Sequence, residues 1–385
     1  MTTNEKGLES RLSSLVKGNS PEDRKKHALE AKKRGKKVIG LLCTYVPVEV
    51  IYAAGMFPWR VTGTWDADLS RAIVYRAMDC CRYCTHALEA LLRGDLDFLD
   101  GIVISDWDDD RRRLSDIWGY VSKPALTISY TNPKSKTEIS ERYFAKEISG
   151  MVSALEDLGG QKITQESLSQ AIKACNLTRH LLLQLYELRK RPIPPVSGAE
   201  VLGITTASMV MDKDDFNTEL QALLPYLERR QVNHKPSGPR ILITSDMLDN
   251  PRFLEIIEGE GCQIVMDDLD TGSRYFYGLT DEENEDVIQA LARRYSWRPA
   301  DPSAFNWEEQ IQQIVEWVRA FRVDGVIELY EEFSSARQWR APLLVRELGR
   351  HNIPLVRIGR GYDVGNVEQL RTRAGAFLET FGVKA

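Results

Sequence analysis

The sequence has few histidines, no excess of charge of one sign, and no uninterrupted apolar run long enough to cross a bilayer. Fifty-one basic and 56 acidic side chains leave a formal charge of -5 over 385 residues, so nothing marks a surface for nucleic acid or anionic lipid. The most apolar stretch, residues 38–58, contains Glu49 and is broken by Pro47, which favours buried elements of a globular protein over a membrane span. The first residues lack the apolar core of a signal peptide. We therefore expect a cytoplasmic protein that binds neither nucleic acid nor membrane.

The length and the apolar pattern predict two domains. A chain of 385 residues exceeds what one hydrophobic core usually absorbs. Strand-type runs alternate with helical spacing in both halves, at residues 37–46, 59–63, 98–105, 125–130, 240–245, 262–266, 323–330 and 354–359. This alternation predicts an α/β protein with two doubly wound, mostly parallel Rossmann or flavodoxin-like sheets.

The spacing of apolar residues between the two halves is helical. We expect an N-terminal helical arm over residues 1–36, a first α/β domain over 37–138, a helical segment over 139–236 and a second α/β domain over 237–385. The crevice between the two α/β domains is then the expected place for chemistry.

Three of the six cysteines, Cys80, Cys81 and Cys84, lie within five positions. Crowded thiols favour metal chemistry in a reducing compartment over separate disulfides, because thiolates are the soft ligands that iron-sulfur clusters require. A structural zinc site needs a second ligand pair, and the sequence has no second C-x-x-C and no H-x-x-x-H. The alternative is that these are buried apolar thiols without a ligand role.

Acidic residues follow one predicted strand in each half. Asp108 lies in the run DWDDD after the strand at 98–105, and the run DDLDTGSR after the strand at 262–266 ends in Ser273 and Arg274. Ligand groups in α/β proteins lie at such strand ends, and backbone N–H groups near Ser273 with the guanidinium of Arg274 suit a phosphate. Helix capping by the aspartates and ordinary turn chemistry explain the same residues equally well.

Six segments, taken in order, give the chain a family resemblance that runs nearly end to end. They are residues 40–58 (GLLCTYVPVEVIYAAGMFP), the helix after Cys81 leading into 94–101 (GDLDFLDG), 112–118 (RRLSDIW), 267–276 (DDLDTGSRYF), 324–327 (DGVI) and 369–379 (QLRTRAGAFLE). Together they resemble the subunits of benzoyl-CoA reductase and of (R)-2-hydroxyacyl-CoA dehydratase.

The resemblance implies a heteromeric enzyme of anaerobic metabolism. Its expected parts are a homologous second subunit, a [4Fe-4S] cluster beside the acyl-CoA substrate, and a separate ATP-dependent iron-sulfur activator protein that supplies single electrons. One-electron reduction of the thioester carbonyl gives a ketyl radical anion, which either expels a neighbouring leaving group or allows an aromatic ring to be reduced. The protein positions the thioester and excludes water.

The resemblance also suggests cluster ligands, because family members place three cysteines on three loops. By position Cys81 matches the first cysteine, whereas Asp108 and Ser334 stand at the second and third. Oxygen ligands are harder than thiolates and would change both affinity and potential.

Three alternatives stay open. Cys80, Cys81 and Cys84 bind a cluster that Asp108 or Ser334 completes, or the partner subunit holds the cluster and this chain is a cluster-free structural or CoA-binding subunit. The third is a generic two-domain protein that binds a small molecule.

Overall fold

Both predicted sheets are present. The computed structural model describes residues 3–66, 68–77, 79–122, 126–231, 238–298, 301–304, 306–331, 333–365 and 367–383. The first sheet contains β1 (Val38–Leu41), β2 (Phe57–Arg60), β3 (Gly101–Ser105) and β4 (Leu126–Tyr130), all parallel and in the order β2-β1-β3-β4. Strands β1 and β3 are buried along their whole length, as expected for strands covered on both faces.

The second sheet repeats this strand order. It contains β5 (Arg240–Ser245), β6 (Gln263–Asp268), β7 (Gly325–Glu331) and β8 (Leu355–Arg360), all parallel and in the order β6-β5-β7-β8. The predicted fold class is therefore confirmed. In each sheet the direction of winding reverses between the first and third strands, and the loops after those strands are where doubly wound proteins bind ligands.

Fifteen α-helices among the described residues surround the sheets. They are α1 (Thr3–Lys17), α2 (Pro21–Lys33), α3 (Val48–Ala53), α4 (Arg82–Arg93), α5 (Asp109–Val121), α6 (Glu138–Gly159), α7 (Gln165–Leu188), α8 (Gly198–Ala207), α9 (Lys213–Arg229), α10 (Arg252–Gly259), α11 (Ser273–Phe276), α12 (Val287–Trp297), α13 (Trp307–Ala320), α14 (Ser335–Arg350) and α15 (Val367–Glu379). Within this part of the chain, no helix combines the length and the apolar character that a membrane crossing requires.

Helix ends follow the local sequence. Ser20 caps α2 by accepting a hydrogen bond from the N–H of Asp23 at 3.2 Å, and Pro21 occupies the first turn, where its missing N–H costs nothing. Gly94 ends α4 at a φ of 83°, a left-handed conformation that glycine adopts without strain.

Helix α7 joins the two halves because it contributes to the core of each. Near its start, Ile172 packs in the core that contains Val103 of the first sheet. Further along, Leu182 and Leu185 pack in the core that contains Val326 of the second sheet. A continuous helix that is buried in two cores fixes the position of one sheet relative to the other.

Candidate functional site

The carboxyl-terminal edges of the two sheets meet each other. Arg60, the last residue of β2, forms a buried ion pair with Asp270, which follows β6. Thr44, in the loop after β1, donates from its hydroxyl to the other oxygen of Asp270 at 2.8 Å. The N–H of Gly63 donates to the hydroxyl of Tyr362, beyond β8, at 3.0 Å. Buried polar contacts thus join the two edges where the crevice was predicted.

Cys81 lies in this interface, immediately before α4. Its Sγ donates to Oε1 of Glu331, the last residue of β7, at 3.3 Å, and the N–H of Tyr83 donates to the same oxygen at 2.9 Å. The N–H of Cys81 donates to Oδ1 of Asp110, in the first turn of α5, at 3.1 Å. Cys81 is therefore held between the first sheet's loops and the second sheet.

The other two clustered cysteines differ in their surroundings. Cys84 is fully buried in the apolar core beneath α4, whereas Cys80 is partly exposed. A hydrogen bond with Cys84, burial, and the nearby carboxylates of Glu331 and Asp110 raise the pKa of Cys81 well above its usual value.

Asp108 and Ser334 begin the helices that follow β3 and β7. Asp108 accepts a hydrogen bond from the N–H of Arg111 at 2.7 Å and forms an ion pair with the same residue's guanidinium. Ser334 precedes α14, its hydroxyl caps no N–H of that helix, and its own N–H donates to the carbonyl of Glu331 at 3.1 Å. Asp108 and Ser334 are thus two and three residues away in the chain from Asp110 and Glu331, which contact Cys81, and the carboxylate of Asp108 binds Arg111.

Ser273 and Arg274 are at the start of α11, after β6. The hydroxyl of Ser273 donates to the carbonyl of Asp267 at 2.6 Å. The guanidinium of Arg274 donates to Oδ1 of Asp268 at 2.9 Å and to the carbonyl of Ser245 at 2.7 Å. Both side chains are buried in these contacts, and phosphate binding by them stays a prediction.

Arg60 is a site residue that sequence reasoning missed. It is buried, and its Nε and Nη1 have no hydrogen-bond partner among the described residues. Although burial opposes the effect, its charge lowers the pKa of Asp270. Arg60 lines a narrow pocket together with Leu41, Cys43, Thr44, Val48, Pro58, Met209, Lys213 and Tyr275. The sequence signal that could have identified Arg60 is a charged residue at the last position of an otherwise apolar strand.

The donor set at Cys81, Asp108 and Ser334 does not fit a [4Fe-4S] cluster, which needs several thiolates directed at one point. Only one of these three residues is a cysteine, and the carboxylate of Asp108 is paired with Arg111. Over the described residues, no three histidine, cysteine, aspartate or glutamate side chains are arranged to hold a metal ion. We assign no redox step to this chain.

Comparison with known proteins gives one consistent result. The family model described as "2-hydroxyglutaryl-CoA dehydratase, D-component" matches residues 43–381. The chain is 28% identical to the (R)-phenyllactyl-CoA dehydratase beta subunit of Clostridium sporogenes, over 90% of this chain and 92% of that one. It is 27% identical to the beta subunit of the (R)-2-hydroxyglutaryl-CoA dehydratase of Acidaminococcus fermentans (91% and 93% covered) and 25% identical to one of the subunits of the benzoyl-CoA reductase of Thauera aromatica (90% and 91%).

Proposed function

Because the chain belongs to the 2-hydroxyglutaryl-CoA dehydratase D-component family, we propose that it is one subunit of a heteromeric enzyme that acts on a CoA thioester. The reaction is the dehydration of an (R)-2-hydroxyacyl-CoA or the reduction of an aromatic acyl-CoA, by one-electron chemistry through a ketyl radical anion. The partners are a homologous second subunit and an ATP-dependent iron-sulfur activator.

One observation carries this proposal. The matched residues, 43–381, include most of both sheets and all the contacts across their facing edges described above, so the similarity extends through all of the candidate site except Leu41 in the pocket. Relatives covered over more than nine-tenths of their length are named as subunits of dehydratases and a reductase. A subunit name implies that activity belongs to a complex.

The buried interface supports chemistry on a thioester. One-electron reduction places negative charge on the carbonyl oxygen, and fixed N–H donors in a site without water stabilise such charge. Arg60 offers two buried donors that no described residue uses. We propose that they face the thioester when substrate is bound.

The test is reconstitution under anaerobic conditions. The chain is co-expressed with the homologous subunit encoded beside it, and the purified complex is mixed with the activator, ATP, a reductant and either an (R)-2-hydroxyacyl-CoA or benzoyl-CoA. We expect a stable complex of the two subunits and turnover of one substrate class that stops when this chain is omitted. A lack of association, or equal turnover without the chain, would refute the proposal.

The pairing of Asp108 with Arg111 and of Cys81 with Glu331 favours one particular role, the cluster-free, CoA-binding subunit. Isothermal titration separates that role from a generic small-molecule binding protein. A CoA-binding subunit is expected to bind the acyl-CoA and not the corresponding free acid. Equal binding of both compounds would favour the generic protein.

A further inference from the structure

We infer that Glu331 takes the place of an iron-sulfur cluster in this chain, by joining the loops at which cluster ligands would have to converge. The inference rests on the proposed function, since it assigns the electron-carrying group of the complex to the partner subunit. Glu331 contacts the start of α4 through Cys81 and Tyr83, and its carbonyl accepts from the N–H of Ser334.

One oxygen of Glu331 occupies the space beside the sulfur of Cys81. The Sγ of Cys81 is 3.3 Å from Oε1 of Glu331, a carboxylate oxygen that also accepts from the N–H of Tyr83. An iron ion bound to that sulfur from the same side would have to displace this oxygen, which belongs to a residue that is 1% exposed, and would leave the N–H of Tyr83 without its acceptor.

Two carboxylates at the start of α5 are already paired with arginine side chains. Arg111 pairs with Asp108, and Arg76, whose side chain is 1% exposed, pairs with Asp110 at 2.5 Å. A cluster with cysteine ligands is anionic, so it would compete with these carboxylates for the same two guanidinium groups. Withdrawing either carboxylate to make room would leave a buried cation without a partner.

The position of Glu331 gives it a structural task that a bridging cluster would otherwise perform. It is the last residue of β7 in the second sheet, and both donors to its Oε1 belong to the start of α4 in the first domain. One carboxylate therefore ties the two domains together across the candidate site. The two donors, Cys81 and Tyr83, lie about 250 positions before Glu331 in the chain.

The experiment measures metal content and needs no activity. The full chain is purified without oxygen and incubated with ferrous iron, sulfide and a thiol reductant, and its iron, sulfide, zinc and visible absorption are then determined. A bacterial-type ferredoxin apoprotein treated in parallel shows that reconstitution works. We expect wild type to retain less than about 0.5 iron or zinc atoms per chain, against about four iron atoms for one [4Fe-4S] cluster.

Matched variants test the convergence. Asp108→Cys/Ser334→Cys/Glu331→Ala supplies thiols at the two positions where this chain has oxygen and removes the carboxylate beside Cys81, and is expected to gain a brown cluster of about four iron atoms. The quadruple variant that adds Cys81→Ser is expected to lose most of it. Circular dichroism verifies folding of both variants.

Two results would overturn the inference. The first is a cluster, or a stoichiometric zinc ion, in wild type that disappears in Cys81→Ser; it would leave membership of the complex intact. The second is a folded triple variant that gains no iron, since the three positions would then not converge on one site even without Glu331.

Discussion

Arg24 and Asp249 form an ion pair that neither solvent nor counter-ions can reach. Nη1 of Arg24, on α2, is 2.6 Å from Oδ2 of Asp249, and the two side chains are 1% and 2% exposed. Nη2 also donates to the carbonyl of Asp249 at 2.7 Å. The N-terminal helices are thereby fastened to the loop after β5, at the candidate site's edge.

We expect Arg24→Met to lower the free energy of unfolding by about 3 kcal/mol, because it leaves Asp249 as a buried charge without its partner. Arg11→Met is the matched control. Arg11 pairs with Glu219 at 2.8 Å, but the two side chains are 42% and 37% exposed, so its loss is expected to cost less than about 1 kcal/mol. Urea denaturation measures both. Equal effects would contradict the assignment of a buried pair.

Glu331→Ala is expected to weaken the connection between the domains. It leaves the N–H of Tyr83 and the thiol of Cys81 without their acceptor, a loss of about 1 to 3 kcal/mol. Glu331→Gln keeps an oxygen acceptor for both donors and should cost less than about 1 kcal/mol. Hydrogen exchange at the Tyr83 amide should be faster in the alanine variant only. An unchanged exchange rate at the Tyr83 amide would contradict the role of Glu331 in connecting the two domains.

Asp108→Asn separates the charge of Asp108 from its capping role. Asparagine caps a helix as well as aspartate does, so the change chiefly leaves Arg111, whose side chain is 8% exposed, without an anion. We expect a loss of about 2 to 3 kcal/mol in thermal or urea unfolding. Asp109→Asn is the control, because Asp109 and its partner Arg113 have side chains that are 72% and 68% exposed. This change should lower the free energy of unfolding by less than about 0.5 kcal/mol. Similar losses would mean that Arg111 does not depend on Asp108.

Glu258 predicts a pH dependence of stability. Burial raises the pKa of this carboxyl to about 7, although the N–H groups of Gly198 and Ala199 oppose the shift by donating to it. The folded state then holds the proton more tightly than the unfolded chain does, so the contribution is fully present below the ordinary glutamate pKa and is lost as pH rises to about 7.

The measurement is the melting temperature from about pH 4.5 to pH 8 for wild type and Glu258→Gln. Wild type should lose on the order of 2 kcal/mol relative to the glutamine variant over that range. The exposed Glu255, on the same helix, provides the control Glu255→Gln, which should follow wild type. A wild type that gains stability over the glutamine variant with rising pH would reverse the sign and refute the assignment.

The sheets could be predicted from local sequence because each strand is a short apolar run of its own. The run at 240–245 coincides with β5, and the run at 98–105 contains β3 but begins three residues early. There the chain is still in a turn, in which the N–H of Leu99 donates to the carbonyl of Leu96. Apolar character alone does not distinguish a buried turn from the strand that follows it.

The site could be predicted only in part. Adjacency along the chain identified Cys80, Cys81 and Cys84 as a group, and position after a strand identified Asp108. Glu331 and Arg60 were missed, because their roles depend on partners such as Cys81 and Asp270 that lie some 200 residues or more away. Nothing in the spacing of charges indicates which distant carboxylate accepts from a thiol.

The shared strand order has a practical consequence for labelling the molecule. Since every strand runs the same way within its sheet and the carboxyl ends face inward, the turns that lead into the strands lie on the outside. The turn at His351 and Asn352, which enters β8, is exposed and contacts none of the residues discussed as the site. Exposed turns of this kind are the places that best tolerate an attached fluorophore or an inserted peptide. A lengthened loop after any strand would instead push the two halves apart.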